Sequence, residues 1–137
     1  MIARRSKGQR SAASLLFMSK YPRIKAEVTF LPESEGGRTV PPRCPSVQEN
    51  VSYQPHIVIG DPNQRQAVIR GNEIQETYLG VVLLSGPDRL EFGEQYLVDL
   101  GLMYYPQVAY ESVVPGATFT IREGPHIVGF GQVKDLL

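Results

Sequence analysis

Cysteine is nearly absent from this chain of 137 residues, and tryptophan is absent altogether. Cys44 stands alone, so no intrachain disulfide can close and no cysteine-rich zinc site can be built. A reduced, cytoplasmic setting is the expectation that follows. Histidine is almost as scarce, with only His56 and His126. No stretch approaches the roughly 18 consecutive apolar residues that a membrane helix requires, so no membrane partner is expected. Net charge is missing as well: 14 Lys+Arg balance 14 Asp+Glu. What is present, 42% apolar and 20% charged residues, excludes a disordered or supercharged chain and fits one domain.

The zero net charge is a cancellation. Arg4, Arg5, Lys7, Arg10, Lys20, Arg23 and Lys25 all precede the first acid, Glu27. The remaining seven basic residues share the rest of the chain with all 14 acids, a balance of −7. Residues 1–20 therefore read as a flexible basic tail, and 21–137 as an acidic folded body. The alternative for the tail is a targeting segment. The apolar stretch from Ala12 to Met18 follows basic residues, and an acid-free start with Arg and Ser suits a transit peptide. Against a signal peptide, that stretch is short and no small-x-small cleavage site follows it. A single short helix over Ser11–Met18 would be marginal by itself.

Proline (11) and glycine (13) cut the body into short segments with β patterning. Ile24, Ala26, Val28 and Phe30 alternate with Lys25, Glu27 and Thr29, which predicts a half-buried strand. Residues 32–45, with Gly36-Gly37 and Pro41-Pro42, form a loop. His56–Ile59 is a short strand, with Gln66–Arg70 as its expected pairing partner. Leu79–Leu84 is apolar on both faces, as a central or barrel strand requires. Tyr96, Val98, Leu100 and Leu102 point inward from the next strand. Thr118–Arg122 and Ile127–Lys134 close the chain across Glu123-Gly124-Pro125-His126. The fold class is therefore all-β: a small closed six-stranded antiparallel barrel, with a sandwich as the competing topology.

Catalytic chemistry is hard to find in this pattern. His56 and His126 lie far apart and each neighbours a proline, so ordinary loop-edge histidines outweigh a metal pair. Arg43 beside Cys44 would favour a thiolate, yet no partner base is evident. Ser85-Gly86 is turn chemistry, and Gly36-Gly37-Arg38-Thr39 lacks the spacing of a phosphate-binding loop. No enzyme activity, metal or cofactor is expected.

Three separated motifs carry a resemblance. They are the strand from Ile24 leading to Glu35-Gly36-Gly37-Arg38-Thr39, the segment Tyr53-Gln54-Pro55-His56, and Phe119-Thr120-Ile121-Arg122-Glu123-Gly124 followed by Val128-Gly129-Phe130-Gly131. In this order they resemble the third, C-terminal β-barrel domain of translation elongation factor Tu, over nearly the whole body. The resemblance implies a non-catalytic module that contacts tRNA and protein partners. It places Arg122, Glu123 and Gly124 at the tRNA backbone contact, with His56 near that surface. Departures from the family are plain: Gln54 stands where the family has a basic residue, and Gly60-Asp61-Pro62-Asn63 replaces an Arg-Thr-Thr-Asp stretch. No GTPase domain precedes the barrel, so no GTP is expected to be bound by this chain alone.

Two roles follow as expectations. The preferred one is a protein-interaction module that binds a protein partner or self-associates; Tyr104, Tyr105 and Tyr110 near Pro106 form one candidate surface. The second is a translation-associated factor binding tRNA or ribosomal RNA through Arg4, Arg5, Lys7 and Arg10 and the Arg122-Glu123-Gly124 turn. For RNA binding, the acidic body would have to gather Arg38, Arg43, Arg65, Arg70 and Arg122 on one side. A small-molecule site at the barrel mouth is a third, weaker option.

Overall fold

Alternation along the first strand sets the architecture. In β1 (Arg23–Phe30) every second residue, from Ile24 to Phe30, is buried, and those between are half-buried. A strand with one apolar face must lay that face on a core. The computed structural model describes residues 21–44 and 52–137; the expected tail, with Arg4, Arg5, Lys7 and Arg10, lies outside them.

Five further strands complete a closed antiparallel barrel with β1: β2 (His56–Ile59), β5 (Leu79–Ser85), β6 (Gln95–Leu102), β7 (Thr118–Glu123) and β8 (His126–Leu136). Neighbours run β1-β6-β5-β2-β7-β8 and back to β1, so no strand edge of the barrel is left open. Two short strands, β3 (Ile69–Arg70) and β4 (Glu73–Ile74), form a separate hairpin between β2 and β5. The expected pairing of Gln66–Arg70 with β2 is therefore corrected. Both edges of β2 are already taken, by β5 and β7.

Leu79, Val81 and Leu83 of β5 enter the core beside Val98, Leu100, Phe119 and Ile121. Val82 and Leu84 are buried on the outer side, opposite Gly101 and close to Tyr21. This two-sided burial accounts for the unbroken apolar run. On β8, Gly131 faces inward opposite Val28 and Phe119; a Cβ there would lie 2.2 Å from the Glu27 carbonyl and 2.8 Å from the Phe119 ring. The Gly-x-Gly pattern thus lets β8 approach β1 and makes room for Phe119.

The core is filled. It leaves an apolar void of about 10 Å³, bordered by Tyr53, Ile57 and Ile121, which is space for about one water. Among the described residues that space is far smaller than the cavities in which small molecules bind. Among the described residues no helix is long and apolar enough to cross a membrane.

Candidate binding surface

Three motifs distant in sequence meet at one carboxylate. After β1 a short 3-10 turn (Glu33–Glu35) ends at Gly36, whose φ of 90° suits glycine. At Gly37 a Cβ would lie 1.8 Å from the Leu31 carbonyl oxygen, so only glycine lets the loop fold back this tightly. The loop turns Arg38 toward the end of β7. Arg38 donates through Nε to the Val40 carbonyl (2.8 Å) and through Nη1 to Glu123 Oε2. The Tyr53 hydroxyl donates to that same oxygen, and the Arg38 guanidinium lies over the Tyr53 ring at 4.9 Å. Burial, together with the hydrogen bond it donates to Glu123, pushes the Tyr53 phenol far above its ordinary value. Burial is the largest influence on Arg38 and opposes its charge, but the hydrogen bond and charge of Glu123, with Tyr53, together outweigh it and its pKa rises.

Arg122 turns the other way. Its register partner His56 sits opposite it, while Ile121 faces the core against Ile57. Arg122 therefore projects from the outer wall, yet it is 0% exposed. The excursion between β2 and β5 covers it. Nη1 and Nη2 form a forked pair with the Glu76 carboxylate at 2.8 and 3.1 Å; Nη1 also reaches the Tyr78 hydroxyl (2.9 Å) and Nε the Thr120 hydroxyl (2.9 Å). Glu76 accepts two more bonds, from Gln64 Nε2 (2.7 Å) and the Val68 amide (3.0 Å). The Arg122 hydrogen bond is the main reason Glu76 is held at about 2. Burial works against the Arg122 charge, but Glu76 and Tyr78 more than compensate. In this arrangement the guanidinium is committed to holding the excursion down and is not presented to a phosphate.

The other expected site residues fall close by. Gly124, with φ 60°, makes the exposed two-residue turn to His126. His56 is half-buried with its ring 5.8 Å from that of Tyr78. His126 stands opposite Glu123 in the β7–β8 ladder. Among the described residues no three His, Cys, Asp or Glu side chains gather as a metal site. Cys44 is buried, and burial followed by the nearby Asp88 charge pushes its thiol up to about 11. Arg43, expected to favour the thiolate, is instead paired with Asp88 at 2.9 Å.

Nine basic residues lie in the described part of the chain, and seven carry a carboxylate partner. Arg23 and Lys25 converge on buried Asp99 at 3.2 and 2.9 Å. The Lys25 contact to Oδ1 falls outside hydrogen-bond geometry, but at that distance it still compensates the charge. Only Arg65 and Arg70 have no acid partner among the described residues. The clustering of Arg38, Arg43, Arg65, Arg70 and Arg122 that an RNA-binding barrel would need is therefore absent as free charge.

Large apolar side chains are exposed at several points, among them Val40, Leu97, Val114, Leu136 and Leu137, and they group in two places. On the β3–β4 hairpin, Val68, Ile69 and Ile74 are 44%, 49% and 42% exposed. Beyond β6, Tyr104, Tyr105 and Val108 are also exposed, whereas Tyr110 is buried and donates to the Gly80 carbonyl at 2.7 Å. The Tyr104 ring lies so close to Gly80 that a Cβ there would meet it at 2.3 Å. Sequence reasoning singled out the tyrosines but not the hairpin. Its signal was the Gly71-Asn72 pair between Ile69-Arg70 and Glu73-Ile74. Glu76 had no sequence signal. The chain matches no protein-family model and no curated protein.

Proposed function

We propose that this chain is a non-catalytic protein-binding module, built on a barrel like the third domain of elongation factor Tu. The observation that carries the reading is the contrast between charge and apolar surface. Seven of nine described cations carry a carboxylate partner, Arg122 with its side chain fully buried, while large apolar side chains stand exposed on the hairpin and beside Tyr104. Neutralised cations contribute little to binding a phosphate backbone; exposed aromatic and aliphatic groups are what protein interfaces use. The resemblance gains support from the meeting of its three motifs at Glu123. A loop, a strand start and a hairpin that touch one another have a reason to occur together.

The test is binding of tRNA and ribosomal RNA to the full chain at about 50 mM salt, where electrostatic attraction is strongest. The expected result is no binding that depends on the barrel. Any residual affinity should vanish when Arg4, Arg5, Lys7 and Arg10 are changed to Gln. RNA binding that survives those four changes and is lost on Arg38→Gln or Arg65→Gln would overturn the reading in favour of a translation-associated RNA binder.

A further inference from the structure

We propose that the free edge of the β3–β4 hairpin is a docking site for an extended, acidic segment of a partner protein, one that alternates apolar and acidic residues. The proposal rests on the protein-binding reading above and names the surface and the chemistry of its occupant.

Among the described residues the hairpin is a two-stranded sheet apart from the barrel, so each of its strands has one edge without a pairing partner there. Arg70 and Glu73 flank a two-residue turn with Gly71 at φ 63° and form its closing pair. In an antiparallel ladder the pair next to a hydrogen-bonded closing pair turns its N–H and C=O groups outward, and here that pair is Ile69 with Ile74. The two isoleucines also share one face of the hairpin, exposed at 49% and 42%. Such an edge normally invites a further strand.

Charge selects the occupant. Arg65 and Arg70 are the two described cations without a carboxylate partner; Arg70 is on β3, and Arg65 precedes that strand in the chain. Arg65 is fixed over the Phe130 ring at 5.0 Å and donates to the Pro62 and Gln64 carbonyls at 2.7 and 2.9 Å, so its charge is positioned but not neutralised. Glu73, the one acid on the hairpin itself, belongs to the β4 side. A strand added along β3 therefore meets positive charge. Because successive side chains of a strand alternate between faces, an apolar–acidic alternation places its apolar residues with Ile69 and Ile74 and its acids with Arg70. The surface is also pre-organised, which lowers the entropic cost of docking. The Val68 amide and Gln64 are tied to Glu76, and Glu76 to Arg122.

The test titrates the full chain with a peptide of about seven residues alternating Val and Glu, followed by fluorescence anisotropy and by amide shifts. A Val–Lys counterpart serves as control. The expected result is binding of the Val–Glu peptide only, with shifts confined to residues 65–76. Arg70→Glu should weaken it about five- to tenfold, since attraction becomes repulsion, and Ile69→Pro should abolish it by removing an edge donor. Equal binding of the Val–Lys peptide, shifts centred elsewhere, or no binding at all would overturn the docking site. Shifts centred on Tyr104 and Tyr105 would do so while leaving the protein-binding reading intact. Self-association of the free chain that is lost on Ile69→Lys would overturn it in favour of a second copy as the occupant.

Discussion

Arg122 and Glu76, 46 residues apart, form a forked ion pair at 2.8 and 3.1 Å in which the arginine side chain is fully buried and the glutamate is 12% exposed. The pair sits on the outside of the barrel wall. It is the seam between the wall and the excursion that covers it, with Thr120, Tyr78, Gln64 and the Val68 amide completing the hydrogen bonding. Isolated buried charges are costly, and a forked arginine–carboxylate pair is among the few arrangements that make them tolerable.

Removing either partner should therefore cost far more than a surface ion pair would. Arg122→Ala leaves Glu76 without its counter-charge, and Glu76→Ala leaves a fully buried guanidinium. Each should lower unfolding stability by about 3 kcal/mol, read from urea midpoints. Limited proteolysis of the Glu76→Ala protein should cut first within residues 60–78, because the excursion loses its main tether.

The same pair sets an acid dependence. Glu76 is held at about 2 against an ordinary 4.5, mainly by the Arg122 hydrogen bond. As pH falls, the unfolded chain takes up the proton first. The stabilisation is thus complete above 4.5 and is lost as the pH drops through about 2. Urea midpoints between about pH 2 and pH 5 should rise with pH in the wild type. In Glu76→Gln the contribution of this group should disappear, giving a flatter profile.

Cys44 makes a kinetic prediction. With its thiol near 11 and its side chain buried, little thiolate is present at neutral pH and little is accessible. Reaction with a disulfide reagent should be slow in the folded protein, accelerate with pH up to about 11, and become fast in urea. Fast labelling of the native protein at neutral pH would contradict the buried placement.

The barrel was legible where strands bury one face. The alternation from Ile24 to Phe30 and the two-sided run from Leu79 to Leu84 both report local periodicity, which sequence states directly. The mispairing of Gln66–Arg70 arose because pairing depends on which edges remain free, a property of the closed sheet and not of the segment. Arg122 was conspicuous as a residue, but its role was hidden. Whether an arginine is offered to a ligand or consumed internally depends on Glu76, which no local pattern marks. Arg38, Tyr53 and Glu123 were each visible within motifs. That they share one carboxylate oxygen became readable only once β1, β2 and β7 were placed together.

That shared oxygen gives the last prediction. If the three motifs are coupled through Glu123, the effects of changing them should not add. Tyr53→Phe removes a hydroxyl donor from a partly buried acceptor and should cost about 1 kcal/mol. Arg38→Ala removes a pair whose side chains are 28% and 35% exposed, so it should cost about 1 kcal/mol or less. In Glu123→Gln the acceptor loses its charge, and both later changes should then cost markedly less than in the wild type. A double-mutant cycle on unfolding free energy reads the coupling directly. Strict additivity would mean that the contacts do not act as a unit, and the physical reason offered for the co-occurrence of the three motifs would fail with it.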